Sequence, residues 1–189
     1  MPAEAAVYLA RHGQTAYNPA RRFQGRLPVP LDETGRAQAA ELGETAAAHP
    51  FAVLWCSPLL RARQTADAVA ERIGLEPIED ERLVETDAGD WTDRPFAEVQ
   101  AEDPDGFAAF VAGDPDFRFP GGESFAEQAA RVAAALSDIE RAELPALVVC
   151  HGQVIRLALA ERRPGGLDEA LRGSRTVANG ALVPLPAAG

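Results

Sequence analysis

The 189-residue sequence contains no lysine: all 18 of its cationic side chains are arginines. That absence removes the P-loop phosphate lysine, the Schiff-base lysine of pyridoxal chemistry and any lysine general base. Two cysteines and three histidines leave little material for a metal cage or a disulfide scaffold, and they point to a reducing compartment. No motif calls for a metal or a cofactor. No apolar run approaches the roughly 18 residues of a membrane span, and Met1-Pro2-Ala3-Glu4 lacks the basic start and apolar stretch of a secretion signal. A cytoplasmic protein without membrane attachment is expected. Aromatic residues are scarce, at 6%, but the hydrophobic fraction of 47% excludes disorder. A chain of this length suits one α/β domain, burying roughly two-thirds to three-quarters of its unfolded surface.

Cationic charge is also short. The net charge is -11, with 29 acids, and it is unevenly placed. Residues 76–143 hold 19 acids against 5 arginines, whereas residues 1–75 and 144–189 are both mildly basic. A nucleic-acid binder needs a cationic stripe to displace phosphate counterions, and none is present. Nucleic acid and anionic lipid are therefore excluded as expected partners. The acidic middle reads first as a solvated surface.

Five segments read as strands. Ala5–Ala10 is a short apolar run ending at Arg11-His12-Gly13, Ala52–Cys56 ends at Ser57-Pro58, and Ala146–Cys150 ends at His151-Gly152. Glu76–Glu79 and Ala181–Leu185 are weaker candidates. Helical spacing lies between them. Ala66, Val69, Ala70 and Ile73 form one face, with Gly74 placed to end the helix. Phe125, Ala129, Val132, Leu136 and Ile139 form another, opened by the capping-box pattern Ser124-x-x-Glu127. Thr34–Ala48 and Gln153–Arg162 complete the set. The alternation predicts an α/β fold of three αβα layers around a mostly parallel sheet, with ligands beyond the carboxyl ends of the strands. Residues 86–122, rich in Asp, Pro and Gly, break the pattern. They are expected to be an insertion or lid partly covering the site, within a single domain spanning 1–189.

The three strongest strands share one property. Each is followed at once by groups suited to phosphate: Arg11-His12-Gly13, Ser57 with Arg61, and His151-Gly152. Phosphoryl transfer through a histidine fits these residues. A neutral imidazole is a competent nucleophile when nearby positive charge holds its pKa down, and Arg11 and Arg61 can supply that charge and grip phosphoryl oxygens. Gly13 would let the backbone pass close to phosphate, and the helix start after Gly152 would offer N–H groups to the same anion.

These residues carry a resemblance. Leu9-Ala-Arg11-His12-Gly13-Gln14-Thr15 with Asn18, Arg22-Phe-Gln24-Gly25, Pro30-Leu31 and Gly35 resembles the opening of the histidine phosphatase superfamily, phosphoglycerate-mutase-like branch. Ser57-Pro58-Leu59-x-Arg61-Ala-x-Gln64-Thr65-Ala66 is similar to its second motif. Leu83-x-Glu85-x-x-x-Gly89-x-Trp91 is similar to the segment bearing its acid, and Val149-Cys150-His151-Gly152-x-Val-Ile-Arg156 to its second histidine. Asn179-Gly180 resembles its closing strand.

The resemblance implies that His12 becomes phosphohistidine, within a phosphate pocket of Arg11, Arg61 and a charged, donating His151. Asn18 would contact the transferred group or the substrate, and Gly13, Gln24, Gly25, Gly152 and Gln153 join it as candidate binding residues. Glu85 would be the acid for the leaving oxygen and then the base for water, a role that contributes ~10²–10⁴ in rate. The implied activity is metal-independent hydrolysis of a small phosphorylated metabolite. Mutase-type members carry an Arg-His-Tyr-Gly stretch and paired arginines in a longer insertion. Here residues 92–122 hold only Arg94 and Arg118, so phosphoglycerate mutase is the alternative rather than the first reading.

Three rivals remain. Cys150 and Arg156 have cysteine-phosphatase spacing, but the loop between them holds one glycine and the bulky pair Val154-Ile155. A metal held by His12, His151 and a carboxylate would face two arginines. A non-catalytic phospho-ligand module would lack the nucleophile or the acid. Arg21, Arg22, Arg26 and Arg94 are candidates for a second anionic group. His49, before Pro50, is assigned a helix-terminus role, and the oligomeric state is open, a homodimer included.

Overall fold

The computed structural model describes residues 6–114, 116–163 and 177–187. Five strands form one sheet: β1 (Val7–Arg11), β2 (Val53–Cys56), β3 (Pro77–Glu79), β4 (Ala146–Cys150) and β5 (Leu182–Leu185), in the spatial order β3-β2-β4-β1-β5. All neighbours run parallel except β5, which is antiparallel to β1. The expected strands are present within two residues at each end, although Ala5 lies outside the described residues. Pro77 and Pro184 both sit on edge strands, where the ladder loses least by a missing N–H. The central β4, Ala-Leu-Val-Val-Cys, is buried at every position, as a strand covered on both faces requires.

Successive side chains of the sheet feed opposite cores. Val7, Leu9, Val148 and Cys150 pack with Val132, Leu136, Ile139 and Ile155, which belong to α5 (Phe125–Ile139) and α6 (Gly152–Glu161). Ala10, Leu54, Cys56, Leu147 and Val149 pack with Leu42, Ala66 and Val69, which belong to α1 (Glu33–Ala46) and α2 (Leu60–Ile73). The result is the expected three-layer αβα arrangement. Helix ends follow local chemistry. The Asp32 side chain caps α1 by accepting from the Gly35 N–H, Gly74 closes α2 in the left-handed region, and Ser124 and Glu127 form a reciprocal capping box on α5. Among the described residues, no helix is long and apolar enough to cross a membrane.

Residues 86–122 are more regular than their composition suggests. They contain two helices, α3 (Phe96–Glu102) and α4 (Pro104–Ala112). Asp103-Pro104 stops α3 but starts α4: the Asp103 side chain accepts from the Gly106 N–H, and Pro104 sits in the first turn, where no intrahelical donor is needed. Trp91, Phe107, Phe117 and Phe119 form a third core with Phe23, with Phe125 and Ala129 of α5, and with Leu157 and Ala160 of α6. The few aromatics of the chain are thus concentrated here.

Candidate active site

Register places the functional groups side by side. Arg11 pairs with Cys150 across β1 and β4, and Cys56 with Val149 across β2 and β4, so His12, Ser57 and His151 leave the sheet at one level. The backbone N–H groups of His12 and Ser57 still bond to the Cys150 and Val149 carbonyls, each at 3.0 Å, which fixes where the polar side chains begin.

His12 is 2% exposed. Its Nδ1 lies 2.7 Å from the Gly13 carbonyl and its Nε2 3.2 Å from Arg61 Nε. Since a carbonyl only accepts and a guanidinium only donates, Nδ1 carries the proton and Nε2 a lone pair. Burial first, then Arg61 and Arg11, hold its pKa well below the ordinary 6.5, against the pull of the Gly13 carbonyl. Arg61, 1% exposed, is itself anchored: its two terminal nitrogens donate to the Leu27 and Gly25 carbonyls at 3.1 and 2.9 Å. Burial lowers its pKa to about 10, which leaves it cationic at neutral pH. Arg11 donates to the Val177 carbonyl at 2.5 Å, while its Nε is buried without a partner. A Cβ on Gly152 would lie 3.2 Å from that Nε, so this glycine makes room for the guanidinium.

His151 stands at the N-cap of α6. It is fully buried, its Nε2 is 2.7 Å from Ser57 Oγ and its Nδ1 has no partner. Burial, followed by Arg61, His12 and Arg11, depresses its pKa well below 6.5. Burial and these neighbouring cations therefore disfavour the charged form of the ring in the free site. Gly13 also has a reason other than phosphate. It does not line the cavity, and a Cβ there would meet the Gly35 carbonyl oxygen of α1 at 2.2 Å. Its glycine requirement comes from helix packing.

Buried Thr15 orders the loop that follows. Its Oγ1 is 3.2 Å from Asn18 Oδ1 and 2.9 Å from Gln24 Oε1, and its N–H donates to Asn18 Oδ1 at 2.8 Å. Both amide oxygens are thereby engaged with Thr15, and both residues line the cavity. Gly25, at φ +50°, supplies the carbonyl that takes Arg61.

Glu85 is presented by the segment that follows the short turn Glu81–Leu83. Its Oε1 accepts from the Thr86 N–H at 2.9 Å and from Gln128 Nε2 at 3.3 Å, and its Oε2 from the Gln153 N–H at 3.4 Å. Gln128, 0% exposed, also accepts from Thr86 Oγ1 at 2.5 Å. Below it, Arg131 donates to the Arg82 and Val84 carbonyls at 2.7 Å and pairs with Glu123 at 2.6 Å, holding the segment that presents Glu85. Neither Gln128 nor Arg131 was found by sequence reasoning. A signal existed for Gln128, which falls between Phe125 and Val132 on the apolar face of α5 and so interrupts it.

A cavity of about 840 Å³ joins these groups: Arg11, His12, Asn18, Gln24, Gly25, Arg61, Glu85, Gly152 and Gln153 all line it, with Asn179. Asn179 also donates to the His12 carbonyl at 2.9 Å. His151 stands behind this lining, with its ring centroid 5.2 Å from that of His12. Of the four arginines offered for a second anion, Arg26 and Arg94 do not line the cavity and pair with acids. Arg22 lines it but is bound to Asp93 at 2.9 Å, and Arg21 lies over the Phe96 ring at 5.9 Å. Cys150 is fully buried in the core and burial pushes its thiol pKa up, which removes the thiolate a cysteine phosphatase needs.

Known proteins share this fold. Residues 7–185 match the family model of the histidine phosphatase superfamily (branch 1). A protein of Klebsiella pneumoniae named a probable phosphoglycerate mutase is 40% identical over 150 residues, covering 77% of this chain and 69% of its own. Among solved structures, a mycobacterial glucosyl-3-phosphoglycerate phosphatase superposes with a TM-score of 0.82 at 31% identity, covering 94% of this chain and 88% of the other. A putative α-ribazole-5'-P phosphatase of Escherichia coli gives a TM-score of 0.74 at 28% identity, covering 85% and 80%.

Proposed function

The chain belongs to the histidine phosphatase superfamily (branch 1), as a phosphatase of that type, and from this premise we propose that it hydrolyses small phosphomonoesters through a phosphohistidine on His12, without a metal. One observation carries the reading: a buried imidazole with its Nδ1 proton held by the Gly13 carbonyl and its Nε2 lone pair facing Arg61 Nε, at the wall of a cavity shared with Arg11, Arg61 and Glu85.

Nε2 of His12 exchanges its contact with Arg61 Nε for the phosphorus atom. The N–P bond forms as the P–O bond to the alcohol breaks, and Glu85 gives its proton to the departing oxygen. Water then attacks phosphorus, Glu85 takes a proton from it, and the N–P bond breaks to return neutral His12 and inorganic phosphate. Arg11 and Arg61 neutralise the charge on the equatorial oxygens, and the unpartnered Arg11 Nε and His151 Nδ1 are donors that an oxyanion would satisfy. On phosphate binding His151 takes up a proton and donates through both nitrogens, Nε2 to Ser57 Oγ and Nδ1 to the anion. Asn18, Gln24 and Gln153 bind the substrate, Gly152 opens the helix that faces the anion, and residues 86–122 form the covering wall of a domain spanning 1–189. Two buried free thiols, Cys56 and Cys150, suit a cytoplasmic enzyme.

The Klebsiella relative's name favours mutase activity as a second reading. A mutase must hold a bisphosphorylated intermediate, and the pairing of Arg22, Arg26 and Arg94 with acids leaves few cations for it. The test is a panel of phosphorylated metabolites with 3-phosphoglycerate isomerisation assayed alongside, in EDTA, and alkaline quenching to trap phosphoenzyme. Hydrolysis with an acid-labile phosphoryl group that is absent from His12→Ala is expected. Turnover without a trapped phosphohistidine overturns the proposal.

A further inference from the structure

The cavity that holds His12 is far larger than a phosphoryl group needs. Its volume of about 840 Å³ lies within the roughly 300–1,000 Å³ range of sites that enclose ligands of drug size. Away from the strand ends its walls change character. Phe96 of α3, Phe107, Phe110 and Val111 of α4, and Phe119 all face it. Phe107 and Phe119 are buried at 7% and 2%, and their rings anchor this wall from behind. Phe110 meets Phe107 at 5.9 Å and Phe119 at 5.7 Å between centroids, yet remains only half-buried, as does Phe96. Val111 is 58% exposed. A single exposed valine is ordinary, but here it continues an apolar surface that opens into the catalytic cavity, and such surfaces mark binding sites.

Charge narrows the occupant. Among the described residues, no charged side chain of 86–122 lines the cavity, and of the arginines nearby Arg22 is occupied by Asp93 while Arg21 lies over the Phe96 ring. Phe96, Phe107, Phe110, Val111 and Phe119 therefore offer this side of the cavity an apolar surface without a clamp of its own for an anion. Resting on the phosphatase reading, we propose that this wall binds the leaving group, and that the preferred substrates are phosphomonoesters whose alcohol bears a bulky alkyl or aromatic group.

Ethyl, butyl and hexyl phosphate test this, because their alcohols leave with nearly the same difficulty and differ in apolar area. The expected kcat/KM rises by up to roughly fourfold per methylene, and the hexyl-to-ethyl ratio falls toward one in Val111→Ser and in Phe110→Ala. Val111→Ser keeps the test intact if the phenylalanine variant does not fold. Calorimetric binding of the matching alkylphosphonates, which cannot be hydrolysed, supplies an arm independent of turnover. Turnover with no dependence on chain length in the wild-type protein overturns the inference and spares the phosphatase reading. Chain-length-dependent phosphonate binding with no hydrolysis of any ester keeps the wall and sinks the phosphatase reading. Neither binding nor turnover removes both.

Discussion

At the strand end of the cavity, side chains are held by hydrogen bonds to the backbone; at the insertion end they are held by packing alone. His12 is tied to the Gly13 carbonyl, Arg61 to the Gly25 and Leu27 carbonyls, Arg11 to the Val177 carbonyl and Glu85 to the Thr86 and Gln153 N–H groups. Phe96, Phe107 and Phe110 touch each other at ring distances near 6 Å and at varied angles. Directional bonds place an atom to within a few tenths of an ångström, as in-line chemistry needs. Aromatic packing tolerates exchange of shape and so can follow a change of substrate. The two ends differ in what a substitution should cost.

Glu85→Gln should show the widest effect, a loss of about 10²–10⁴ in kcat on alkyl phosphates but little on p-nitrophenyl phosphate, whose leaving group needs no proton; steady-state kinetics on the pair measure it. Equal losses on both would erase the distinction between a chemical end and a binding end. Gly13→Ala comes next. Its Cβ would lie 2.2 Å from the Gly35 carbonyl oxygen, and backbone cannot yield as a flexible side chain would. A stability loss of about 3 kcal/mol or more in denaturant unfolding is expected.

The third concerns acid. His12 and His151 have folded pKa values depressed below 6.5, so below that pH the unfolded chain binds protons that the native chain refuses. Stability should fall as pH drops from 6.5, by up to about 1.4 kcal/mol per unit for each histidine, until the folded values are reached. His12→Gln/His151→Gln should remove this slope above the range where lowered carboxylates such as Asp80 take over; melting curves against pH read it. The smallest effect belongs to the other end. Trp91→Phe, inside the aromatic cluster but outside the cavity lining, should cost about 1–2 kcal/mol in Tm-derived stability and leave the alkyl-to-aryl activity ratio alone.

Much of the scaffold was legible because its rules are local. Ala146–Cys150 was found at its true bounds, since four of its five residues are bulky or β-branched apolar side chains or a buried thiol, bounded by Pro145 and His151-Gly152. The capping box at Ser124 and the left-handed Gly74 were legible for the same reason. Helices α3 and α4 were missed because Asp103-Pro104 reads as a breaker unless its cap is seen. Glu85 was singled out through its motif alone, since nothing in its spacing separates it from 28 other acids.

By itself the sequence determined the alternation of strands and helices, and hence that His12, Ser57 and His151 follow strand ends: a strand's run of apolar side chains must stop where its polar neighbours begin. Only the tertiary structure decided the state of those groups. The depressed pKa of His151, the proton on His12 Nδ1, the anchoring of Arg61 and the glycine at 13 all depend on which backbone carbonyls, cations and helices pack against them. Desolvation and steric contact arise between residues far apart in the chain, and no local pattern encodes them.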